Sequence, residues 1–153
     1  LGPVPATIVY AVGSGGTSAG LIAGCRLFDL PYRLIGVSSG ERREVFQKRV
    51  AAILDEMAER WGIDVQNEPE GIEIWDDYVG LGYAKSRPEE LDTIVRLARD
   101  EGLLLDPVYT GKAMHGLLSE VAAGRALGEP LVFLHTGGIF GLFAKAEQLA
   151  ERL

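Results

Sequence analysis

The chain has 153 residues, of which 47% are hydrophobic and 24% charged, and its formal net charge is −7. These values are typical of one globular domain with a real core, and the acidic balance argues against general nucleic-acid binding, which requires a basic surface. No apolar run approaches the roughly 20 residues of a membrane-spanning helix. The single cysteine, Cys25, excludes an internal disulfide framework and favours a reducing cytoplasm.

The first informative stretch is an apolar strand over residues 7–12 that runs through a glycine-rich loop into a helix over 16–28. A strand that turns through glycines into a helix directs several backbone N–H groups, and the helix dipole, at one spot that suits a phosphate. The loop lacks the lysine of a P-loop and the third glycine of the dinucleotide fingerprint, so a purely structural turn remains the alternative. The residues predicted to bind the phosphate are Gly13, Ser14, Gly15, Gly16 and Thr17.

Further along the chain, strands and helices continue to alternate. Strands are predicted over 32–37, 72–75, 103–105 and 131–134, and helices over 41–61, from about Pro88 to Gly102, over 112–123 and over 140–152. Residues 1–5 are expected either to form a short linker or to follow an earlier part of a longer protein. Asp76 and Asp77 are interpreted as an acidic loop rather than a metal pair, because no third ligand is suitably spaced.

This order predicts an α/β fold, a doubly wound parallel sheet with helices on both faces. Ligands of such sheets bind beyond the carboxyl ends of the strands. Three polar stretches are predicted at that edge: residues 13–17, Tyr109 with Thr110, and residues 135–138. Their convergence predicts one binding site, and the two histidines have no spacing that suggests zinc.

Three segments resemble one family of enzymes. They are Gly-Ser-Gly-Gly-Thr-Ser-Ala-Gly-Leu (13–21), Glu-Gly-Leu-Leu-Leu-Asp-Pro-Val-Tyr-Thr-Gly-Lys-Ala-Met (101–114) and Phe-Leu-His-Thr-Gly-Gly-Ile-Phe-Gly-Leu (133–142). The chain is similar to the carboxyl-terminal part of pyridoxal-phosphate enzymes of the tryptophan-synthase-β fold. Within that fold it resembles D-cysteine desulfhydrase and 1-aminocyclopropane-1-carboxylate (ACC) deaminase.

The resemblance implies a role for each position. Residues 13–17 would hold the phosphate of pyridoxal 5′-phosphate, and Thr110 would face the pyridine nitrogen where ACC deaminases are expected to carry glutamate. Thr136 replaces a leucine expected in those deaminases, so the two threonines favour the desulfhydrase. Tyr109 would lie over the reacting carbon, and Tyr83 aligns with a second active-site tyrosine; a tyrosine hydroxyl there can serve as an acid, a base or a carboxylate donor.

The implied reaction is β-elimination of D-cysteine, a small amino-acid substrate, to pyruvate, sulfide and ammonia. ACC deaminase and L-cysteate sulfo-lyase are the alternatives within the family. A non-catalytic domain that binds a phosphorylated ligand is the alternative of another class. The full-length enzymes of the family are usually homodimers, and the resemblance implies the same for the intact protein.

The chain departs from the family in its lysines. Its four lysines, Lys48, Lys85, Lys112 and Lys145, match none of the positions of the family's cofactor-binding lysine, which lies in an amino-terminal half. Lys112 is expected to have a helix-terminal or structural role. The chain is therefore predicted to be inactive alone, and it could also assemble with a separately made amino-terminal half through its exposed sheet edge.

Overall fold

A computed structural model describes residues 3–153, and Leu1 and Gly2, the start of the predicted linker, lie outside the described residues. Strands and helices alternate along the chain. In order they are β1 (Ala6–Val12), α1 (Gly16–Leu27), β2 (Tyr32–Ser38), α2 (Arg43–Trp61), β3 (Ile74–Trp75), α3 (Pro88–Glu101), α4 (Thr110–Ala122), β4 (Leu131–Leu134) and α5 (Ala146–Ala150). Two 3-10 helices span Pro69–Gly71 and Ile139–Lys145.

The four strands form one parallel sheet in the order β3-β2-β1-β4. In the register of the central pair, Ala6 lies opposite Tyr32 and Val12 opposite Ser38, and Thr7 of β1 lies opposite Leu131 of β4. Because all strands are parallel, their carboxyl ends share one edge. The predicted ligand-binding stretches after β1 and β4 both begin there.

Helices cover both faces of the sheet, which confirms the doubly wound α/β prediction. Successive residues of β1 point to opposite faces, so Val9 packs with α3 and α4 while Tyr10 packs with α1 and α2. The first layer includes Leu91, Ile94, Ala113 and Leu117, and the second includes Ala19, Phe46, Val50 and Leu54. Both sets are buried, and each forms a separate apolar cluster against the sheet.

Two predicted elements differ from the structure. Residues 103–105 form no strand: the segment runs from Gly102 to the turn that follows Asp106, and Leu105 packs into the apolar cluster of α3 and α4 rather than pairing with the sheet. The predicted helix over 140–152 is instead a 3-10 helix followed by the short α5. Phe140 and Phe143 are 81% and 79% exposed, so this segment lacks the buried face that stabilises most helices.

The acidic pair after β3 also differs from a simple solvated loop. Asp76 accepts hydrogen bonds from the backbone N–H of Arg43 (3.0 Å) and from its guanidinium (3.0 Å), at the first residue of α2. Arg43 holds the pKa of this carboxyl below its usual range despite the opposing effect of burial. Asp76 therefore ties the end of β3 to α2.

Candidate active site

The glycine-rich loop joins β1 to α1 at the carboxyl edge of the sheet. Gly15 is the N-cap of α1 and has a left-handed backbone (φ 93°), and a Cβ there would lie 3.2 Å from Cγ2 of Val50. The first N–H groups of a helix have no intrahelical acceptor, and the first turn of α1 reads Gly-Thr-Ser-Ala, without an acid. Ser14 and Thr17 are exposed beside these N–H groups. This arrangement favours an anion, as the sequence predicts.

An arginine that the sequence analysis missed lies against this loop. Nη1 of Arg49 in α2 donates a hydrogen bond to the carbonyl of Gly13 (3.2 Å), and its guanidinium lies 5.1 Å from the ring centre of Phe46. The cation adds positive potential at the loop. Charges recur along the exposed side of α2, so no sequence signal distinguishes Arg49 from its neighbours.

The structure brings the two predicted tyrosines together over the ends of β1 and β2. The hydroxyls of Tyr83 and Tyr109 are hydrogen-bonded, and the rings meet edge to face with centroids 5.8 Å apart. A Cβ at Gly13 would lie 2.7 Å from Cε1 of Tyr109, and a Cβ at Gly40 would lie 2.9 Å from Cβ of Tyr83. Glycine at each strand end therefore makes the room that a tyrosine occupies.

This contact raises the pKa of Tyr109. The hydrogen bond with Tyr83, burial and the negative charge of Asp106 together raise the pKa of Tyr109 to about 12. Tyr109 is therefore a neutral phenol at neutral pH and can donate a proton or a hydrogen bond. In the pair, one hydroxyl hydrogen lies between the two oxygens and the other remains available to a ligand.

Asp106, which the sequence analysis also missed, organises the turn that carries Tyr109. Its buried carboxylate accepts hydrogen bonds from the backbone N–H groups of Val108 (2.7 Å), Tyr109 (2.9 Å) and Thr110 (2.7 Å). These bonds satisfy the N–H groups at the start of α4, which is why that helix begins at Thr110 rather than at Lys112. An aspartate four residues before a helix was the available sequence signal.

Thr110 lies in this turn and not at an open surface. Its buried hydroxyl donates to Oδ1 of Asp106 (2.7 Å) and accepts from the backbone N–H of Asp106 (2.9 Å). The hydroxyl has one proton, and that proton is bound to Asp106. In this arrangement Thr110 retains one lone pair, so toward another group it acts as an acceptor.

The third predicted stretch reaches the same turn from β4. Gly138 has φ 93°, and a Cβ there would lie 2.7 Å from Oδ1 of Asp106. His135 donates from Nε2 to the carbonyl of Leu104 (2.8 Å) and accepts at Nδ1 from the N–H of Gly137 (3.1 Å), so it is a neutral, structural imidazole. Thr136 is exposed on this turn.

Two further hydroxyls at the edge, those of Ser18 in the first turn of α1 and of Ser39, are buried and unpaired among residues 3–153. Ser39 follows β2, its N–H donates to the carbonyl of Val12 (3.0 Å), and within residues 3–153 its Oγ has no hydrogen-bond partner. A Cβ at Gly13 would lie 3.7 Å from this Oγ, on the same side as the Tyr109 ring. Buried hydroxyls are normally satisfied, so Ser39 points to a polar ligand group at the site.

A glycine-rich loop that suits an anion, a pair of phenols and an unpaired hydroxyl lie together at the carboxyl edge of the parallel sheet, where folds of this kind bind ligands. Residues 1–137 match the pyridoxal-phosphate dependent enzymes. The chain belongs to this family.

Individual relatives agree with the family. The chain is 42% identical over 144 residues to D-cysteine desulfhydrase of Yersinia enterocolitica, a match that covers 94% of this chain and 43% of the relative. It is 39% identical over 147 residues to a Pyrococcus abyssi protein whose name assigns it provisionally to ACC deaminase, covering 96% and 43%. A crystal structure of an ACC deaminase homologue superposes with a TM-score of 0.84 at 39% identity, covering 96% of this chain and 44% of that one. The chain thus spans less than half the length of these relatives.

The described residues fit the family's cofactor. The N–H groups at the start of α1 and the unpaired Ser39 hydroxyl, beside the Tyr109 ring that lies over Gly13, suit a ligand that carries a phosphate. Residues 13–17 would hold that phosphate, with Arg49 beside them. Within the described residues, no helix is long and apolar enough to cross a membrane.

Proposed function

We propose that this chain is the carboxyl-terminal part of a pyridoxal-phosphate enzyme that eliminates sulfide from D-cysteine. The observation that carries the proposal is the hydrogen-bonded pair of Tyr83 and Tyr109 above Gly13. It presents a proton donor next to the loop that would hold the cofactor phosphate. Substrate and cofactor chemistry would therefore meet at the carboxyl edge of β1 and β2.

The overall conversion takes D-cysteine and water to pyruvate, hydrogen sulfide and ammonia. When bound, the cofactor supplies an electron sink for the carbon that loses its proton. The Cβ–S bond then breaks, and the sulfur leaves with the bonding electrons and needs a proton. Because the pKa of Tyr109 is raised to about 12, Tyr109 keeps its proton at neutral pH and is suited to donate a hydrogen bond to the leaving sulfur or to the substrate carboxylate.

The residues around the turn favour the desulfhydrase over the deaminase. Thr110 stands where a deaminase is expected to carry glutamate, and its proton is bound to Asp106. A neutral acceptor supports a charged ring less than a carboxylate does. Thr136 is exposed on the neighbouring turn, where a hydroxyl suits a polar substrate better than a leucine does.

Substrate assays of a full-length protein that contains this chain test the proposal. We expect sulfide and pyruvate from D-cysteine in equal amounts, and no 2-oxobutanoate from ACC. Release of 2-oxobutanoate would identify a deaminase instead, and sulfite from L-cysteate would identify a sulfo-lyase. A protein that binds pyridoxal phosphate and turns over none of the three would support the non-catalytic alternative.

We also propose that the 153 residues alone do not turn over substrate, since the lysine that the family uses to bind the cofactor covalently has no counterpart among the four in this chain. The isolated chain should be incubated with pyridoxal phosphate, reduced with borohydride and weighed by mass spectrometry. An unchanged mass is expected, and a cofactor attached to one of its own lysines would refute the proposal. The intact protein is proposed to be a cytoplasmic homodimer.

A further inference from the structure

Lys112 is the buried lysine of the described chain, and its side chain lies beneath the loop that carries Tyr83. It is the third residue of α4 and is 1% exposed. Its amino group donates hydrogen bonds to the carbonyls of Val79 (2.6 Å) and Gly82 (2.7 Å). Burying an ammonium group is costly unless such partners compensate, and near the amino end of a helix the dipole also opposes it. The buried contact of Lys112 with these two carbonyls therefore suggests a specific role for the lysine in the structure around the site.

The loop that Lys112 holds has little support of its own. Residues 79–85 form two successive turns, in which Gly82 N–H donates to Val79 O (3.2 Å) and Lys85 N–H donates to Gly82 O (3.2 Å). The Lys112 amino group binds the acceptor carbonyl of both turns. Gly80 and Gly82 have left-handed backbones (φ 64° and 106°), so the loop is intrinsically free to adopt other conformations.

A buried acid packs against the other side of the loop. Glu90 of α3 is 1% exposed and binds Arg87 through Nε (2.8 Å). A Cβ at Gly80 would lie 2.6 Å from Oε1 of Glu90, so the loop passes directly over this carboxylate. Lys112 and Glu90 thus contact residues 79–82 from opposite sides. Tyr83 follows directly after this segment and is 58% exposed.

Lys112 does not serve as a substitute for the family's covalent lysine. Burial lowers its pKa, which is a property of reactive lysines, but its amino group is bound to two carbonyls inside the protein and has no open path to the site. An amine held in this way neither attacks a carbonyl nor collects a proton from a ligand. We call this arrangement, in which the Lys112 amino group binds the carbonyls of Val79 and Gly82, the clamp.

We propose that Lys112 is a positioning residue that fixes the loop at Val79 and Gly82 and thereby holds the hydroxyl of Tyr83 against that of Tyr109. Nothing in the sequence or in the family's motif assigns this role. Only the expected loss of kcat/KM for D-cysteine rests on the proposed function. The geometric part, that the tyrosine contact depends on the lysine, stands without any substrate.

The decisive variant is Lys112→Met in the full-length protein, compared with Tyr83→Phe and the double variant. We expect Lys112→Met to lower kcat/KM for D-cysteine by about as much as Tyr83→Phe does, on the order of 10- to 100-fold. Because the lysine would act through Tyr83, the double variant should lose no more than about twofold beyond Tyr83→Phe alone. Multiplicative losses would overturn the proposal.

Two measurements without substrate keep the test independent of the enzymatic assignment. In Lys112→Met, the backbone amides of 80–85 should exchange with deuterium at least about tenfold faster, while those of β1 do not change. The pKa of Tyr109, identified by its loss in Tyr109→Phe, should fall from about 12 toward 10, because its bond to Tyr83 is the main cause of the shift. Unchanged exchange and titration would refute the clamp even if D-cysteine is turned over.

Lys112→Gln covers the possibility that the methionine variant does not fold. Its amide retains donors for one carbonyl, so it should fold and show intermediate exchange, an intermediate kcat/KM and a partial fall of the Tyr109 pKa. If exchange and titration respond in either variant but no substrate is converted, the proposed function is wrong and the clamp is right. Normal kinetics in both variants would refute the kinetic effect of the clamp and leave the proposed function standing.

Discussion

Gly13→Ala is the substitution whose effect on the site the structure defines most closely. Gly13 is not in a left-handed conformation, so alanine meets no backbone penalty, and the consequence comes from the new Cβ alone. That Cβ would lie 2.7 Å from Cε1 and 3.3 Å from Cδ1 of Tyr109. Carbon atoms pack at about 3.5–4.0 Å, so the ring must move by roughly 1 Å.

The displacement should damage the site more than the fold. The Tyr109 ring is partly exposed and can shift, so we expect a loss of about 1 kcal/mol, the low end of what overpacking a core costs. Cε1 adjoins the carbon that carries the hydroxyl, so the hydroxyl moves with it and its bond to Tyr83 is broken. Misplacing a catalytic group by about 1 Å can cost 10²-fold in rate, and we expect kcat/KM for D-cysteine to fall 30- to 100-fold.

Gly24→Ala is the matched control. Gly24 lies inside α1, and a Cβ there meets no heavy atom within 4 Å. Alanine should stabilise this helix by about 0.5–1 kcal/mol and leave turnover unchanged. Urea unfolding gives the stabilities, and initial rates of sulfide release give kcat/KM. If Gly13→Ala keeps kcat/KM within twofold, or loses as much again in a Tyr109→Phe background, the position of Tyr109 is not what Gly13 protects.

Three other predictions concern the glycine-rich loop, the Asp106 turn and His115, a partly buried histidine of α4 that is hydrogen-bonded to Thr93 of α3. Thr17→Val should weaken pyridoxal-phosphate binding by about 2- to 10-fold in a fluorescence titration, since one hydroxyl donor is lost, and equal affinity would remove Thr17 from the phosphate site. Asp106→Asn should lower the free energy of urea unfolding by about 2–4 kcal/mol, because the amide nitrogen would be a donor facing backbone N–H groups. Thr110→Ser keeps the hydroxyl and should lower it by less than about 1 kcal/mol. Similar losses in the two variants would contradict this account of the turn. Burial lowers the pKa of His115, so the unfolded chain binds a proton at this histidine more readily than the folded chain does. The free energy of unfolding should therefore fall as the pH drops below about 6.5, and His115→Gln should weaken this fall. An unchanged pH dependence in His115→Gln would refute the prediction.

The sequence was sufficient to predict the sheet because the pattern of its strands is strong. The β-branched run before Gly13 and the glycine-to-helix transition predict β1, the loop and α1 to within one residue at each boundary. The run Leu103-Leu104-Leu105 has the same apolar character and is not a strand. Leu105 packs among the helices instead, and whether an apolar segment pairs with a sheet depends on where the whole fold places it and not on the segment alone.

The site was predictable where backbone chemistry defines it and not where tertiary contacts do. Glycines before a helix predict an anion-binding loop directly. Arg49 reaches the carbonyl of Gly13 across the packing of α1 on α2, and Ser39 matters because nothing satisfies its hydroxyl. Neither contact leaves a local pattern. The Thr110 hydroxyl donates its proton to Asp106, which leaves that hydroxyl only an acceptor toward another group.

The described part of the chain contains groups that suit ligand binding and hydrogen-bond donation, but these groups do not include a suitable catalytic base. Its glycine-rich loop suits an anion, Tyr109 keeps its proton with a pKa of about 12, and its buried lysine donates to two carbonyls. None of these groups, among residues 3–153, is suited to remove a proton from carbon at neutral pH, because a base must be unprotonated and exposed to its substrate. We therefore expect the proton acceptor of the proposed reaction to lie in a part of the relatives that the match to this chain does not cover. On this reasoning the chain should bind the cofactor phosphate and orient the leaving group, and a separately supplied amino-terminal segment should restore elimination.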